Sequence, residues 1–250
     1  MKHVVFGTGK KDMVIIPGLS FKPVCDSSQA VADAYAQFGR DHRVWLFDRR
    51  SDCPEGCSIR QMAADTAEEM KKLGIEKADI FGVSQGGIMA QYIAADYPEL
   101  VNKAVLASAA CRNSASSLAV FTQWNTLAKE GRIDELVSLS IEQLYSEATL
   151  KLYKEYLIAA NSSLSDEDIS RYIIMTQSLI DFDATPVLDA IKCPLLVIGC
   201  KGDRIFGAEL SRELAEKTGA ELFIYGDEFG HAVYDEAPDY KDRLMRFFKG

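Results

Sequence analysis

The chain has 250 residues, with 28 Lys and Arg against 37 Asp and Glu, which gives a formal net charge of −9 at pH 7. This length suits one domain, with room for an insertion. The acidic balance argues against nucleic acid and anionic membranes as partners. The longest apolar runs are too short to span a bilayer, and the N-terminal stretch MKHVVFG has no apolar signal core.

The six cysteines are Cys25, Cys53, Cys57, Cys111, Cys193 and Cys200. In a chain of this size without a signal peptide, we expect reduced thiols and a cytoplasmic location. Cys53 and Cys57 lie four residues apart in a predicted loop. No second pair of Cys or His residues completes a metal site with them, so we expect no bound metal.

The first half of the chain alternates strands with helices. Short β-branched runs on either side of Gly7 and Gly9 predict a hairpin over 3–6 and 12–16 that leads into a buried strand. Ser58 is a candidate N-cap, and apolar residues recur at helical spacing after it. The predicted elements that follow the hairpin are a helix at 26–39, a strand at 43–47, a helix at 59–73, a strand at 78–83, a helix at 85–96 and a strand at 101–107.

Between about Cys111 and Asp183 the alternation stops, and the spacing predicts four helices over 115–129, 133–145, 147–160 and 166–181. Ser165 and Asp168 resemble a capping box for the last of these helices. The alternation then resumes with a strand at 194–200, a helix at 208–218, a strand at 221–225 and a helix that Pro238 opens. The sequence therefore predicts an α/β core, 1–110 and 184–250, with a helical insertion at 111–183.

Ser84 stands between a strand that ends at Val83 and a helix that begins near Gln85, in the stretch FGVSQGG. A strand that turns directly into a helix strains the residue at the bend, so Gly82 and Gly86 relieve the crowding on either side. The bend would expose the Ser84 hydroxyl at the carboxyl end of the sheet, where open α/β sheets bind ligands. The alternative is a glycine-rich loop that only packs helix against sheet.

A serine needs a base to act as a nucleophile at neutral pH, and the chain has three histidines. His3 precedes the sheet and His42 lies in a charged turn, so both are expected at the surface. His231 follows the last predicted strand, where a base could lie over the carboxyl end of the sheet. His231 is therefore the candidate base.

The imidazole in turn needs a carboxylate that fixes its tautomer. Asp203 comes just after the strand at 194–200 and is the candidate, with Asp227, Asp181 and Asp183 as alternatives. The order Ser84, Asp203, His231 is the order that the nucleophile-elbow arrangement requires.

The sequence resembles α/β-hydrolase-fold serine hydrolases of the esterase and lipase kind with a helical cap, over essentially its whole length. The matching stretches are IIPGLS, GVSQGG, GDRIFG and FGHAVYDEAP. The resemblance implies an α/β-hydrolase fold: a mostly parallel central sheet, helices on both of its faces and an inserted all-helical cap at 111–183. It also implies cofactor-independent chemistry.

Two backbone N–H groups are expected to form the oxyanion hole. The N–H of Gln85, directly after the nucleophile, is one donor. Many relatives have His-Gly where this chain has Pro17 and Gly18. Because proline has no N–H, the family pattern points to Leu19 as the second donor. Asp48 and Arg49 occupy a loop that in relatives usually reads Asp-x-Arg-Gly-x-Gly, and we expect the two to pair and to brace loops near the site.

These features predict a serine hydrolase that cleaves small carboxylic esters through an acyl-enzyme on Ser84. Thioesterase, lactonase, carbon–carbon bond hydrolase and acyltransferase activities would use the same triad and remain alternatives. A small-molecule receptor that keeps the fold without turnover is a further alternative from a different class. We expect a small acyl substrate, no nucleic acid or membrane partner, and a monomer or homodimer.

Overall fold

The computed structural model describes all 250 residues. Seven strands form one sheet in the order β1-β3-β2-β4-β5-β6-β7, and every neighbouring pair is parallel except β1 with β3. The strands are β1 (His3–Phe6), β2 (Lys11–Ile16), β3 (His42–Phe47), β4 (Ala78–Val83), β5 (Val101–Ala107), β6 (Leu195–Cys200) and β7 (Glu221–Tyr225). The predicted mostly parallel sheet is confirmed.

Ten α-helices accompany the sheet, and none is both long enough and apolar enough to cross a membrane. They are α1 (Ser28–Ala34), α2 (Ile59–Lys72), α3 (Gln85–Asp96), α4 (Ala115–Lys129), α5 (Ile133–Leu144), α6 (Glu147–Asn161), α7 (Asp166–Asp181), α8 (Gly207–Thr218), α9 (Val233–Glu236) and α10 (Tyr240–Lys249).

The predicted helix caps form as expected at two helices. The Ser58 hydroxyl accepts from the Gln61 N–H at the start of α2, and Ser165 with Asp168 forms a capping box on α7. The predicted helix at 26–39 is instead broken into two 3₁₀ turns around α1. The last helix begins at Tyr240 rather than Pro238, because the short α9 comes first.

The predicted hairpin between β1 and β2 is wrong, because β3 lies between them. The chain leaves β1 opposite Val44 and crosses the start of β3, where the Gly9 N–H donates to the His42 carbonyl. A side chain at Gly9 would overlap the Asp41 carbonyl group. Gly7 and Gly9 therefore allow two backbone segments to cross in close contact, rather than forming a tight turn.

The sheet separates two apolar layers, since side chains alternate along each strand. In β4, Ile80 belongs to the larger cluster of 47 buried residues and Phe81 to the smaller cluster of 20 on the opposite face. The larger cluster includes side chains of α2, α3 and α8 together with those of α4, α5 and α7. Helices α4, α5 and α7 are thus packed onto the sheet through the same layer that supports α3.

The two ends of the predicted insertion lie side by side. The Ala184 N–H donates to the Cys111 carbonyl at 2.8 Å, and Arg112 forms an isolated antiparallel bridge with Asp183. Helices α4 to α7 all lie between these two points. The division into a core and a 111–183 cap remains a prediction, and the chain enters and leaves this segment at one place.

The expectation of six reduced thiols is wrong for Cys53 and Cys57, which form a disulfide in the loop before α2. Their Cα atoms are 6.1 Å apart, a separation that disulfides commonly span. A turn in which the Cys57 N–H donates to the Pro54 carbonyl brings them together. The other four cysteines are free. Cys53 and Cys57 therefore do not support the cytoplasmic location that we inferred from reduced cysteines.

Candidate active site

Ser84 lies at the bend between β4 and α3, with φ 53° and ψ −118°. A side chain at Gly86 would overlap the carbonyl oxygens of Ile16 and Pro17, and one at Gly82 would overlap the Gly86 carbonyl. The bend can therefore close only with glycine at both positions. Its consequence is a serine at the carboxyl end of a central strand, at the start of a helix.

His231 and Asp203 meet across two loops that follow β6 and β7. The His231 Nδ1 lies 2.9 Å from Asp203 Oδ2, and both side chains are almost completely buried. The other carboxylate oxygen, Oδ1, accepts from the backbone N–H groups of Ile205 and Phe206 at 2.7 and 3.1 Å. Asp203 is thereby held in one orientation and can fix the tautomer of His231.

The other histidines lie away from Ser84. The expectation that His42 is a surface residue is wrong: it is buried at the amino end of β3, and its Nε2 is 3.1 Å from Asp79 Oδ2. His3 lies on the edge strand β1, with its Nδ1 3.8 Å from Glu69. The sequence missed the burial of His42 because its partner Asp79 is far away in the chain.

The alternative carboxylates have other surroundings. Asp181 accepts from Gln177, and Asp183 accepts from the Thr185 N–H, at 3.0 and 2.8 Å. Asp227 is exposed in the loop after β7. Of the four candidates, Asp203 is the one whose carboxylate hydrogen-bonds His231.

The loop after β2 passes next to Ser84. A Cβ built on Gly18 would lie 3.2 Å from the Ser84 Cβ, so the backbones of the two segments are in contact. The Leu19 N–H donates to no acceptor within the chain. Gln85 is the first residue of α3, where N–H groups lack helical partners. Both predicted oxyanion donors therefore lie beside Ser84 on adjoining segments.

Asp48 and Arg49 brace this loop, but the expected ion pair between them does not form. The Asp48 carboxylate accepts from the N–H groups of Val24 and Cys25, and Arg49 Nη2 donates to the Pro17 carbonyl at 2.5 Å. Burial lowers the pKa of Arg49 to about 10. Each side chain supports the backbone separately, which their adjacency in the sequence does not reveal.

A second arginine holds the far end of the loop from the insertion. Arg171 on α7 donates through Nη2 to the carbonyls of Ser20 and Phe21 at 3.0 and 2.8 Å. The rings of Phe21 and Tyr172 stack with centroids 4.7 Å apart. The loop after β2 is therefore held both by the segment that follows β3 and by α7.

A cavity of about 340 Å³ opens above Ser84 and His231. More than half of its lining residues are hydrophobic, and Lys22 is the one lysine or arginine among them. Burial raises the pKa of Tyr145 and of Tyr172 well above the usual range, so both lining phenols stay neutral. Apolar side chains that line it include Leu19, Phe121, Trp124, Ile141, Leu144 and Ile205.

The sequence does not indicate two side chains that hold parts of the candidate site in place. The Gln85 amide, buried completely, donates from Nε2 to the Met175 carbonyl and to Ser178 Oγ on α7. Ser108, at the end of β5, donates its hydroxyl to the His231 carbonyl at 2.7 Å. The nucleophile-elbow stretch indicates only the backbone N–H of Gln85, and no motif indicates Ser108, since each side chain hydrogen-bonds a partner distant in the chain.

Comparisons with known proteins agree with this architecture. A family model of the alpha/beta hydrolase fold matches residues 13–134. A protein of Pseudomonas savastanoi with the provisional name carbamate hydrolase RutD is 28% identical over 239 residues, which cover 88% of this chain and 89% of the relative.

Two solved structures have the same fold. MGS-M2, an alpha/beta hydrolase enzyme from a deep-sea metagenome library, is 24% identical with a TM-score of 0.88, and the match covers 100% of this chain and 94% of that one. The enol-lactonase of Burkholderia xenovorans is 20% identical with a TM-score of 0.86, covering 100% and 96%. The chain has the α/β-hydrolase fold, and it is a hydrolase.

Proposed function

We propose that this hydrolase is a serine enzyme that cleaves small carboxylic esters through an acyl-enzyme on Ser84. One observation carries the proposal: the buried hydrogen bond between His231 Nδ1 and Asp203 Oδ2, in a site where His231 and Ser84 line the same cavity. A histidine held in this tautomer presents Nε2 as a proton acceptor. Such an arrangement can activate a serine hydroxyl.

In this mechanism Ser84 Oγ attacks the ester carbonyl while its proton passes to His231 Nε2. The N–H groups of Leu19 and Gln85 stabilise the oxyanion, each contributing about 3–4 kcal/mol to the transition state. Collapse of the tetrahedral intermediate breaks the bond to the alcohol, which leaves with the proton from His231. Water then repeats the sequence on the acyl-enzyme and releases the acid.

Hydrolysis of a lactone or a carbamate is the second candidate. Relatives named carbamate hydrolase and 3-oxoadipate enol-lactonase support it, the latter being a protein of Acinetobacter baylyi that is 24% identical over 68% of this chain. Both reactions pass through a tetrahedral oxyanion, so the same residues would serve. Thioester or carbon–carbon cleavage and acyl transfer would also use this set.

A screen over p-nitrophenyl esters of increasing acyl length, together with lactones, carbamates and thioesters, tests the proposal. We expect turnover of short esters, loss of turnover in Ser84→Ala, and labelling of Ser84 by a fluorophosphonate probe. Product analysis with an added alcohol separates hydrolysis from acyl transfer. A folded protein whose Ser84 stays unlabelled, and whose S84A variant binds ligands as before, would instead be a receptor.

A further inference from the structure

The turn between α5 and α6 is joined directly to the loop that carries His231. The Ala232 N–H donates to the Leu144 carbonyl at 2.9 Å. A Cβ built on Gly230 would lie 2.6–2.8 Å from backbone atoms of Leu144, Tyr145 and Ser146. Gly230 and Ala232, which flank His231, are therefore in direct contact with the backbone of the turn between α5 and α6.

Glu236, the last residue of α9, connects the same two segments through its carboxylate. Oε2 accepts from the Gly230 N–H at 2.6 Å, and Oε1 accepts from the Ser146 N–H at 2.8 Å. Hydrogen bonds from N–H groups to a carboxylate are about twice as strong as neutral ones. One side chain thus bridges the residue before His231 and the N-cap of α6.

The bridged turn is also part of the substrate cavity, because Leu144 and Tyr145 both line it. On the opposite side, Ser108 fixes the His231 carbonyl from β5. The loop that carries His231 is therefore held at one side by the end of β5 and at the other by a segment that lines the cavity.

We propose that Glu236 is a positioning residue that couples the insertion to His231. The inference rests on the proposed function of His231 as the base. Glu236 touches no reacting atom. It keeps the Gly230–Ala232 backbone pressed against the α5–α6 turn, so that the imidazole stays aligned with Ser84 when the cavity wall is in place. Displacement of a catalytic group by about 1 Å can cost a hundredfold in rate.

Glu236→Gln tests the bridge with little change of shape. The amide has one oxygen acceptor, and its NH₂ group would face an N–H donor, so one of the two bonds is lost. Glu228→Gln is the matched control, because it removes the same charge from an exposed position in the loop that carries His231. We expect E236Q to lower kcat about tenfold or more with KM within twofold, and E228Q to resemble the wild type.

A second pair of variants approaches the bridge from the insertion. Ser146 has φ −67°, and Tyr145 has φ −107° and ψ 156°, so a proline at 146 fits the backbone. Ser146→Pro removes the N–H that Glu236 accepts, and Ser146→Ala keeps it while removing the capping hydroxyl. We expect S146P to lower kcat as E236Q does and S146A to leave it near the wild-type value. In an E236A background, S146P should add little, because the coupled pair is already broken.

Two readouts separate positioning from general loss of structure. The rate of Ser84 labelling by a fluorophosphonate reports on the serine and histidine without an ester substrate. The far-downfield proton resonance of His231 Nδ1–H reports on its bond to Asp203, and we expect it to shift or broaden in E236Q and S146P at temperatures where both are folded. If no ester is turned over but labelling proceeds, the ester proposal fails while the bridge is still tested.

Retention of wild-type kcat, labelling rate and proton resonance in both E236Q and S146P would overturn the inference. A loss of kcat in S146A equal to that in S146P would also overturn it, because the effect would then belong to the helix cap. Should E236Q not fold, Glu236→Asp and S146P carry the same comparison.

Discussion

Asp203 uses both of its carboxylate oxygens, one for His231 and one for two backbone N–H groups. In Asp203→Asn the remaining oxygen can serve the backbone, so the amide NH₂ faces His231. The imidazole must then accept at Nδ1 and carry its proton on Nε2, where it cannot take the Ser84 proton. We expect kcat to fall by about four orders of magnitude with the fold intact.

Asp227→Asn is the control for this variant, since Asp227 is exposed in the loop that leads to His231. Turnover should be measured alongside a thermal melt for both proteins. Near-wild-type turnover in D203N would move the acid to another carboxylate and would contradict the assignment.

Ser108 combines a strained backbone with a buried hydrogen bond. Its φ is 44°, its side chain is buried, and its hydroxyl donates to the His231 carbonyl. Ser108→Ala keeps the strain and loses the donor, so we expect a loss of about 1–3 kcal/mol in the free energy of unfolding. Ser108→Gly also loses the donor but relieves the positive φ, so its loss should be smaller by about 1 kcal/mol.

Urea denaturation of the two Ser108 variants checks this order. An S108G protein that is less stable than S108A would show that the positive φ stores no strain at this position.

At the scale of elements, the contact between α3 and β2 depends on glycine. The added methyl group of Gly86→Ala would meet the Ile16 and Pro17 carbonyls, which are backbone atoms at the end of a central strand and directly after it and cannot move aside. We expect a loss of about 3 kcal/mol or more in the free energy of unfolding.

Gly18→Ala is the comparison variant. Its methyl group would lie 3.2 Å from the Ser84 Cβ, so it meets a side-chain atom rather than the backbone. We expect G18A to melt close to the wild type and to lose turnover, since the added methyl group displaces Ser84, the proposed nucleophile. Equal losses of melting temperature in both variants would contradict this distinction between backbone and side-chain contacts.

The elements were predictable where local spacing decides them. The alternating strands and helices, the four helices of the insertion and the elbow at Ser84 follow from periodicity, caps and glycine positions. The partner of β1 was not predictable in this way, because Gly7 and Gly9 suit a tight turn as well as a crossing over β3. Strand pairing is decided by which edge is buried, and that is a property of the assembled sheet.

The candidate site shows the same division. Ser84, Asp203 and His231 were predictable from their places after the strands β4, β6 and β7. Glu236, Ser108 and the Gln85 side chain were not, because each hydrogen-bonds a backbone group far away in the chain. No local pattern marks a residue whose role is to hold another loop.

At the scale of the whole molecule, the charge of the chain and that of the cavity differ in sign. The chain carries −9, yet Lys22 lines the cavity together with no Asp or Glu side chain. Lys22 also forms no salt bridge, since no carboxylate oxygen of the chain lies within 4.0 Å of its ammonium nitrogen. We therefore expect Lys22 to favour an acyl group that carries a carboxylate.

Mono-p-nitrophenyl succinate and p-nitrophenyl butyrate give a matched pair of charged and neutral esters. In Lys22→Gln the ratio of kcat/KM for the charged ester to that for the neutral one should fall about 3- to 10-fold, as for a charge pair near a protein surface. Lys10→Gln, at an exposed lysine outside the cavity, should leave the ratio unchanged. An equal fall in both variants would assign the effect to net charge rather than to the cavity.

The position of helices α4 to α7 in the chain also determines when the sheet can be completed during synthesis. Strand β5 pairs on one side with β4, which precedes it, and on the other with β6, which emerges from the ribosome only after α4 to α7. Until then the nascent sheet ends in an apolar edge strand, which is a template for association with other chains. Helices α4 to α7, made in that interval, pack onto the layer that supports α3, so the insertion that walls the cavity can also shield the unfinished sheet.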